Sequence, residues 1–186
     1  MTIPPSNRGV CLLAGGLSRR MGRDKAGLRL GSRTLLGHIR AEAGKLELPV
    51  RVIRHDRIPG CGPLGGIYSA LKTSRAKAEL FLACDMPFVT AGLMQNLLGS
   101  WETCQCAVFT FHGRVAGFPF VVPVEAWPMV ERQIARKQFS LQKLARALGA
   151  TLVQSSADPD WELFNVNTPD DWQAARQYWT ARKKRT

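Results

Sequence analysis

The feature that most constrains this chain is an unbroken apolar run, Val10-Cys11-Leu12-Leu13-Ala14, cut off by Gly15-Gly16. Both side-chain parities are apolar, so a strand here has no face to give to water and must be covered on both sides. Leu80-Phe81-Leu82-Ala83 repeats the pattern and ends at Cys84-Asp85-Met86-Pro87. Between these runs, Leu35, Leu36 and Ile39 open a helical spacing to about Lys45, and Pro49 to Ile53 reads as a further strand. Leu64, Ile67, Tyr68 and Leu71 then mark a helix after a glycine-rich turn.

The second half continues the alternation. Thr90 is placed to cap a helix carrying Leu93, Leu97 and Leu98. Ala107 to Phe111 and Phe118 to Val122 read as strands, followed by helices over about Glu125 to Arg136 and Ser140 to Leu148. Thr151 to Gln154 and Leu163-Phe164 read as late strands, and Thr168-Pro169 with two acids in the first turn opens a last helix. Strands alternating with helices imply an α/β fold with a mostly parallel sheet covered on both faces. With no repeat, linker or low-complexity tract, residues 1–186 read as a single domain.

Composition narrows the class. A hydrophobic fraction of 45% with 22% charged residues argues for a globular chain and against disorder. No stretch approaches the ~18 to 20 apolar residues of a membrane span, and Met1 to Arg8 carries no apolar signal core. The expectation is therefore a cytoplasmic protein with no membrane association. Five cysteines, an odd number without a CxxC pair, read as reduced and mostly buried thiols. Cys104-Gln105-Cys106 is too close for the usual zinc clamp, and no cluster completes it.

The net charge of +12 admits nucleic acid, a membrane surface or small polyanions as partners. The basic residues form two dense groups. Arg182-Lys183-Lys184-Arg185 reads as a solvated terminus, whereas Arg19, Arg20 and Lys25 sit among glycines directly after a strand. No basic stripe with interleaved aromatics appears, which weighs against nucleic acid and favours phosphates of a small ligand.

In an open α/β sheet, ligands bind outside the carboxyl ends of the strands. Three unusual segments fall there: the loop Gly15 to Lys25, the turn Gly62 to Gly66, and Asp85. Consecutive glycines let the backbone approach a phosphate, and the flanking arginines and Lys25 add charge. The loop lacks the Gly-Lys-Ser/Thr ending of a Walker motif. Asp85, at the tip of an apolar strand, suits Mg²⁺, which takes one or two carboxylates together with substrate phosphates. Gly60-Cys61-Gly62-Pro63-Leu64-Gly65 also matches a dinucleotide fingerprint, with Asp85 20 residues further on. It sits in the second strand–helix unit, however, and would leave the first loop without a role. Asn165-Val166-Asn167-Thr168-Pro169 places two amides at a helix start, where capping is the favoured reading.

These four segments, in this order, resemble the bacterial molybdenum cofactor guanylyltransferases, the MobA family. The characteristic run is Leu13-Ala14-Gly15-Gly16 to Arg19-Arg20-Met21-Gly22 to Asp24-Lys25, followed by Gly62-Pro63-Leu64-Gly65-Gly66-Ile67, Cys84-Asp85-Met86-Pro87 and Asn165-Val166-Asn167-Thr168-Pro169. The resemblance implies a three-layer Rossmann-like nucleotidyltransferase fold, Mg²⁺ as cofactor, and GTP and molybdopterin as substrates. It places Leu13, Ala14, Gly15, Gly16, Lys25 and Asp56 against the nucleotide and gives the metal to Asp85. Arg20, Gly22, Gly62, Gly66, Asn165 and Asn167 would line the pterin side, with Lys25, Asp85 and Arg20 closest to the chemistry. A molybdoenzyme or a pterin-delivery protein would be the macromolecular partner.

Two departures from the family pattern stand out. Only Pro49 to Ile53 fits between Lys45 and Gly60, where relatives have two strands and a base-contacting asparagine. Phe118 precedes Pro119 where relatives often carry histidine. A sibling nucleotidyltransferase using another nucleotide such as CTP, or another phosphorylated acceptor, is the alternative within this class. A nucleic-acid-binding protein and a dinucleotide-dependent oxidoreductase are the alternatives outside it.

Overall fold

The computed structural model describes residues 7–14, 27–112, 115–155 and 159–183. The apolar run becomes strand β1 (Arg8–Leu13) in the interior of a six-stranded sheet. After a two-stranded hairpin of β2 (Arg29–Leu30) and β3 (Arg33–Thr34) come α1 (Leu35–Gly44), β4 (Val50–Ile53), α2 (Pro63–Thr73) and β5 (Ala78–Ala83). The chain continues through α3 (Ala91–Cys104), β6 (Val108–His112), β7 (Val115–Pro123), α4 (Trp127–Ala135) and α5 (Leu141–Ala147). It closes with β8 (Thr151–Gln154), the short α6 (Pro159–Glu162) and α7 (Pro169–Lys183).

The sheet order is β4-β1-β5-β7-β6-β8. β1 runs parallel to both β4 and β5, and β6 runs parallel to β8, while β7 is antiparallel to both of its neighbours. The sheet is thus mostly parallel, with one reversed strand. Successive side chains of β1 enter opposite layers: Cys11 and Leu13 pack with α2 residues Leu64, Ile67 and Leu71. Val10 and Leu12 pack with Ile39 of α1 and Leu93, Leu97 and Trp101 of α3. This two-sided burial is what an uninterrupted apolar run requires. A third cluster joins Leu30, Leu35 and Phe88 to Val166 and Ala175, with Trp161, Trp172 and Tyr178 around it.

Capping chemistry sets the helix starts. The Thr90 hydroxyl accepts from Leu93 N at 3.2 Å, as the sequence suggested, and Thr34 does the same for Gly37 N at 3.0 Å. At α7, Asp171 N donates to the Thr168 hydroxyl at 3.1 Å and Thr168 N donates to the Asp171 carboxylate at 2.8 Å. That reciprocal pair makes a capping box.

The structure departs from expectation in three places. Leu163-Phe164 is not a strand. It follows α6, and Phe164 packs beside Trp161 with ring centroids 4.8 Å apart. The β2–β3 hairpin was not anticipated, because two-residue strands are too short to show a period. Cysteine burial also differs: Cys11 and Cys61 are buried, but Cys104 is exposed and Cys84 and Cys106 are intermediate, all five being free. Cys104 ends α3 at the surface, which accounts for its exposure. Among the described residues, no helix is long and apolar enough to cross a membrane.

Candidate active site

The loop after β1 leads back through α1 to β4 on one side, whereas the loop after β5 leads through α3 toward β6 on the other. The chain direction therefore diverges between β1 and β5, and a crevice opens at their carboxyl ends. There the structure has a cavity of about 890 Å³, lined by Leu13, Ile53 to Asp56, Pro59, Gly60, Gly62, Pro63, Gly66, Ala83 to Asp85, Phe118 and Asn165. This is the size of a pocket that holds a sizeable small molecule.

Backbone hydrogen bonds hold its floor. Ala14 N donates to Ile53 O at 2.9 Å, and Cys84 N donates to Leu13 O at 3.2 Å, so the three strand ends stay in register beyond the sheet. Asp85 is half-buried with its Oδ1 shielded from solvent. Its carbonyl accepts from Val166 N at 2.8 Å, which ties the strand tip to the segment carrying Asn165. Glu162, 4% exposed, receives hydrogen bonds from the Thr90 and Ser155 hydroxyls. That buried carboxylate pins the same late segment to the start of α3.

The opposite wall is the glycine turn. Gly62 caps α2 at φ +56°, a left-handed conformation that side chains resist, and Pro63 begins the helix. Asp56 lies over this helix start. A Cβ added at Gly65 would meet Asp56 Oδ2 at 2.8 Å and Ile58 O at 2.7 Å, so only glycine admits the carboxylate there. Gly66 lies against the Leu13 side chain and Asp56 Oδ1 in the same way, at 3.1 and 3.3 Å. Burial pushes the Asp56 carboxyl above its ordinary range, partly offset by the charge of His55.

The arrangement brings together most of the describable site residues anticipated from the sequence. Leu13, Asp56, Gly62, Gly66, Asp85 and Asn165 all line one cavity, and Ala14 adjoins it through Leu13. Asn167 lies outside that lining, with its backbone N donating to Asp171 at 2.9 Å as part of the α7 cap. Gly15, Gly16, Arg20, Gly22 and Lys25 fall outside the described residues. Arg54 and His55 were missed; both are exposed and line the cavity. The signal was present, since they stand with Asp56 at the end of β4, where the rule that singled out Asp85 applies equally. Among the described residues no group of three or more His, Cys, Asp or Glu could cage a metal.

Helices on both faces of a mostly parallel sheet, with a carboxylate-bearing cavity at the chain-reversal point, define an α/β protein with a ligand site at its strand ends. Comparison with known proteins sharpens that class. Residues 10–152 match the model of the MobA-like NTP transferase domain, and the chain belongs to this family of nucleotidyltransferases. A probable molybdenum cofactor guanylyltransferase of Methanothermobacter thermautotrophicus is 38% identical, over 87% of this chain and 95% of that one. A probable molybdenum cofactor guanylyltransferase of Carboxydothermus hydrogenoformans is 30% identical, over 90% of this chain and 94% of its own. Among solved structures, molybdopterin-guanine dinucleotide biosynthesis protein A from Archaeoglobus fulgidus superposes with a TM-score of 0.72 at 23% identity, covering 93% and 99% of the two chains. The last likeness speaks for the fold.

Proposed function

We propose that this chain transfers GMP from GTP to the terminal phosphate of molybdenum-bound molybdopterin, yielding the guanine dinucleotide cofactor and pyrophosphate. The observation that carries the reading is the convergence of Asp56, Asp85, the Gly62–Gly66 turn and Asn165 on one cavity at the strand ends. A molybdopterin phosphate oxygen attacks the α-phosphorus of GTP, the α–β phosphoanhydride bond breaks, and pyrophosphate departs. The nucleophile is already anionic, so the site needs no general base and can work by alignment and charge neutralisation.

The chain's own residues divide the task. Leu13 to Gly16 and Lys25 receive the triphosphate, Asp56 contacts the nucleotide, and Arg20, Gly22, Gly62, Gly66 and Asn165 take the pterin side, while Asn167 stays with the α7 cap. Asp85 would hold Mg²⁺ together with the substrate phosphates, and the ion would supply neutralisation of the developing charge. The glycine turn keeps Asp56 in place without crowding the cavity.

The test is incubation of the full chain with molybdopterin and α-labelled GTP, with and without Mg²⁺. Label appearing in the pterin product, with pyrophosphate released and Mg²⁺ required, is the expected result. Incorporation from CTP or ATP in place of GTP would instead assign a sibling transferase, which the single strand β4 between α1 and α2 keeps in view.

A further inference from the structure

One motif has no place in the transferase reading. Cys104 ends α3 and Gln105 follows at φ +52°, in the left-handed region, as the helix C-cap. In an extended strand, side chains two residues apart share a face but stand about 6.6 Å from one another; the left-handed cap instead folds the chain back sharply. Cys106 is thereby brought onto Cys104, and the two sulfurs lie 2.7 Å apart. Cys106 N also donates to Cys104 Sγ at 3.4 Å, and Cys106 Sγ lies 3.3 Å from the Thr151 hydroxyl at the start of β8. Cys104 is exposed and Cys106 half-buried, so a small molecule can reach both.

We propose that Cys104 and Cys106 form a vicinal dithiol that reacts with small-molecule disulfides of the glutathione type and closes reversibly into a disulfide. Cys106 is the attacking group. Burial alone would raise its thiol pKa, but hydrogen bonds from Cys104, from Thr151 and from its own backbone bring it below the ordinary thiol range. Cys104, exposed at the end of α3, is the resolving partner. Cys11 makes the contrast: burial and the charge of Glu79 push its thiol upward, so it is inert.

The reaction balances in two exchanges. The Cys106 thiolate attacks one sulfur of glutathione disulfide and expels a glutathione thiolate, leaving a mixed disulfide on Cys106. The Cys104 thiolate then attacks the Cys106 sulfur and expels the second glutathione. Two electrons pass from the protein dithiol to the glutathione disulfide, and both protons finish on the released thiols. α3, at 14 residues, carries this pair about 20 Å from the Asp85 end of the sheet, so the reaction is separate from the transferase cavity.

The test equilibrates the full chain with glutathione buffers of increasing oxidation, quenches in acid, alkylates and cleaves with chymotrypsin. Cleavage after Trp101 and Phe109 releases fragment 102–109, whose cysteines are Cys104 and Cys106 alone. The expected result is loss of two hydrogens in mass with loss of alkylation on that fragment, reversed by dithiothreitol. A fragment that stays alkylated at every ratio, or that keeps glutathione without closing, overturns the proposal. In Cys104→Ser, ring closure is lost and the glutathione adduct stays on Cys106. An adduct on Cys106 that forms no faster than the Cys104 adduct in Cys106→Ser overturns the assignment of the attacking sulfur.

Discussion

Two sets of carboxylates mark opposite ends of the same sheet and live under different rules. Toward its amino-terminal end, Glu79 is 1% exposed and its oxygens are claimed by the protein itself. Arg51 Nη2 donates to it at 2.6 Å, the Ser74 hydroxyl at 2.5 Å, and the Cys11 thiol at 3.2 Å. Toward the carboxyl ends, Asp56 and Asp85 face an open cavity. For Asp56, among the described residues, His55 is the charged neighbour that offsets its burial. The difference teaches how to separate structure from function in a polar interior. A carboxylate saturated by its own chain is there for the fold, and one placed beside a cavity against a cost is there for a ligand.

The largest expected effect follows from Asp85. Asp85→Ala leaves the sheet intact and lowers GMP transfer by about 10³-fold, roughly 4 kcal/mol of transition-state stabilisation. Single-turnover transfer measured across Mg²⁺ concentration checks it. Full Mg²⁺-dependent activity in the variant would place Asp85 with Glu79 as a structural acid.

At the other end, Glu79→Gln is expected to cost about 3 kcal/mol of stability, because Arg51 and Ser74 lose their charged acceptor inside the sheet. The lower end of the range for a broken buried pair applies, since the Arg51 side chain is 35% exposed. Urea unfolding reads the loss. Nucleotide affinity of the folded fraction stays unchanged, which is the sign that this carboxylate does not serve the cavity.

Gly65→Ala probes the boundary between the two regimes. The added Cβ would clash with Asp56 Oδ2 and Ile58 O, and helix geometry around Gly65 leaves little room to retreat. A stability loss of about 2 kcal/mol is expected, together with a raised KM for the nucleotide as Asp56 is displaced. A change in stability without any change in KM would detach Asp56 from binding.

Much of this contrast was legible in the sequence. The apolar runs of β1 and β5, the helical spacing of α2 and the Thr90 cap follow from local rules, and they place Asp85 and the glycine turn at strand ends. Strand order and the reversal of β7 come from long-range pairing that periodicity does not encode. Leu163-Phe164 read as a strand because two apolar residues fit several patterns, and the aromatic cluster around Trp161 decided otherwise. The anchoring role of Glu162 had no sequence signal, since a buried acid looks like any other acid until Thr90 and Ser155 close on it. Arg54 and His55 carried a signal that went unused.

The smallest effect makes the sharpest comparison. Because burial raises the folded-state pKa of Asp56, its ionised form is disfavoured by folding, and the penalty is complete above that raised value. It disappears as pH falls below the ordinary carboxyl value near ~3.9, where both states are neutral. Asp56→Asn removes the penalty, so the variant should be slightly more stable than the parent at neutral pH and equal to it in acid. Denaturant midpoints followed down the pH scale would show the gain fading through that window. The same variant should bind GTP more weakly at neutral pH, because the group that costs stability is the one proposed to contact the nucleotide. A variant that loses stability at neutral pH would mean that Asp56, like Glu79, is satisfied by its own chain, and the division between the two ends of the sheet would fail at this residue.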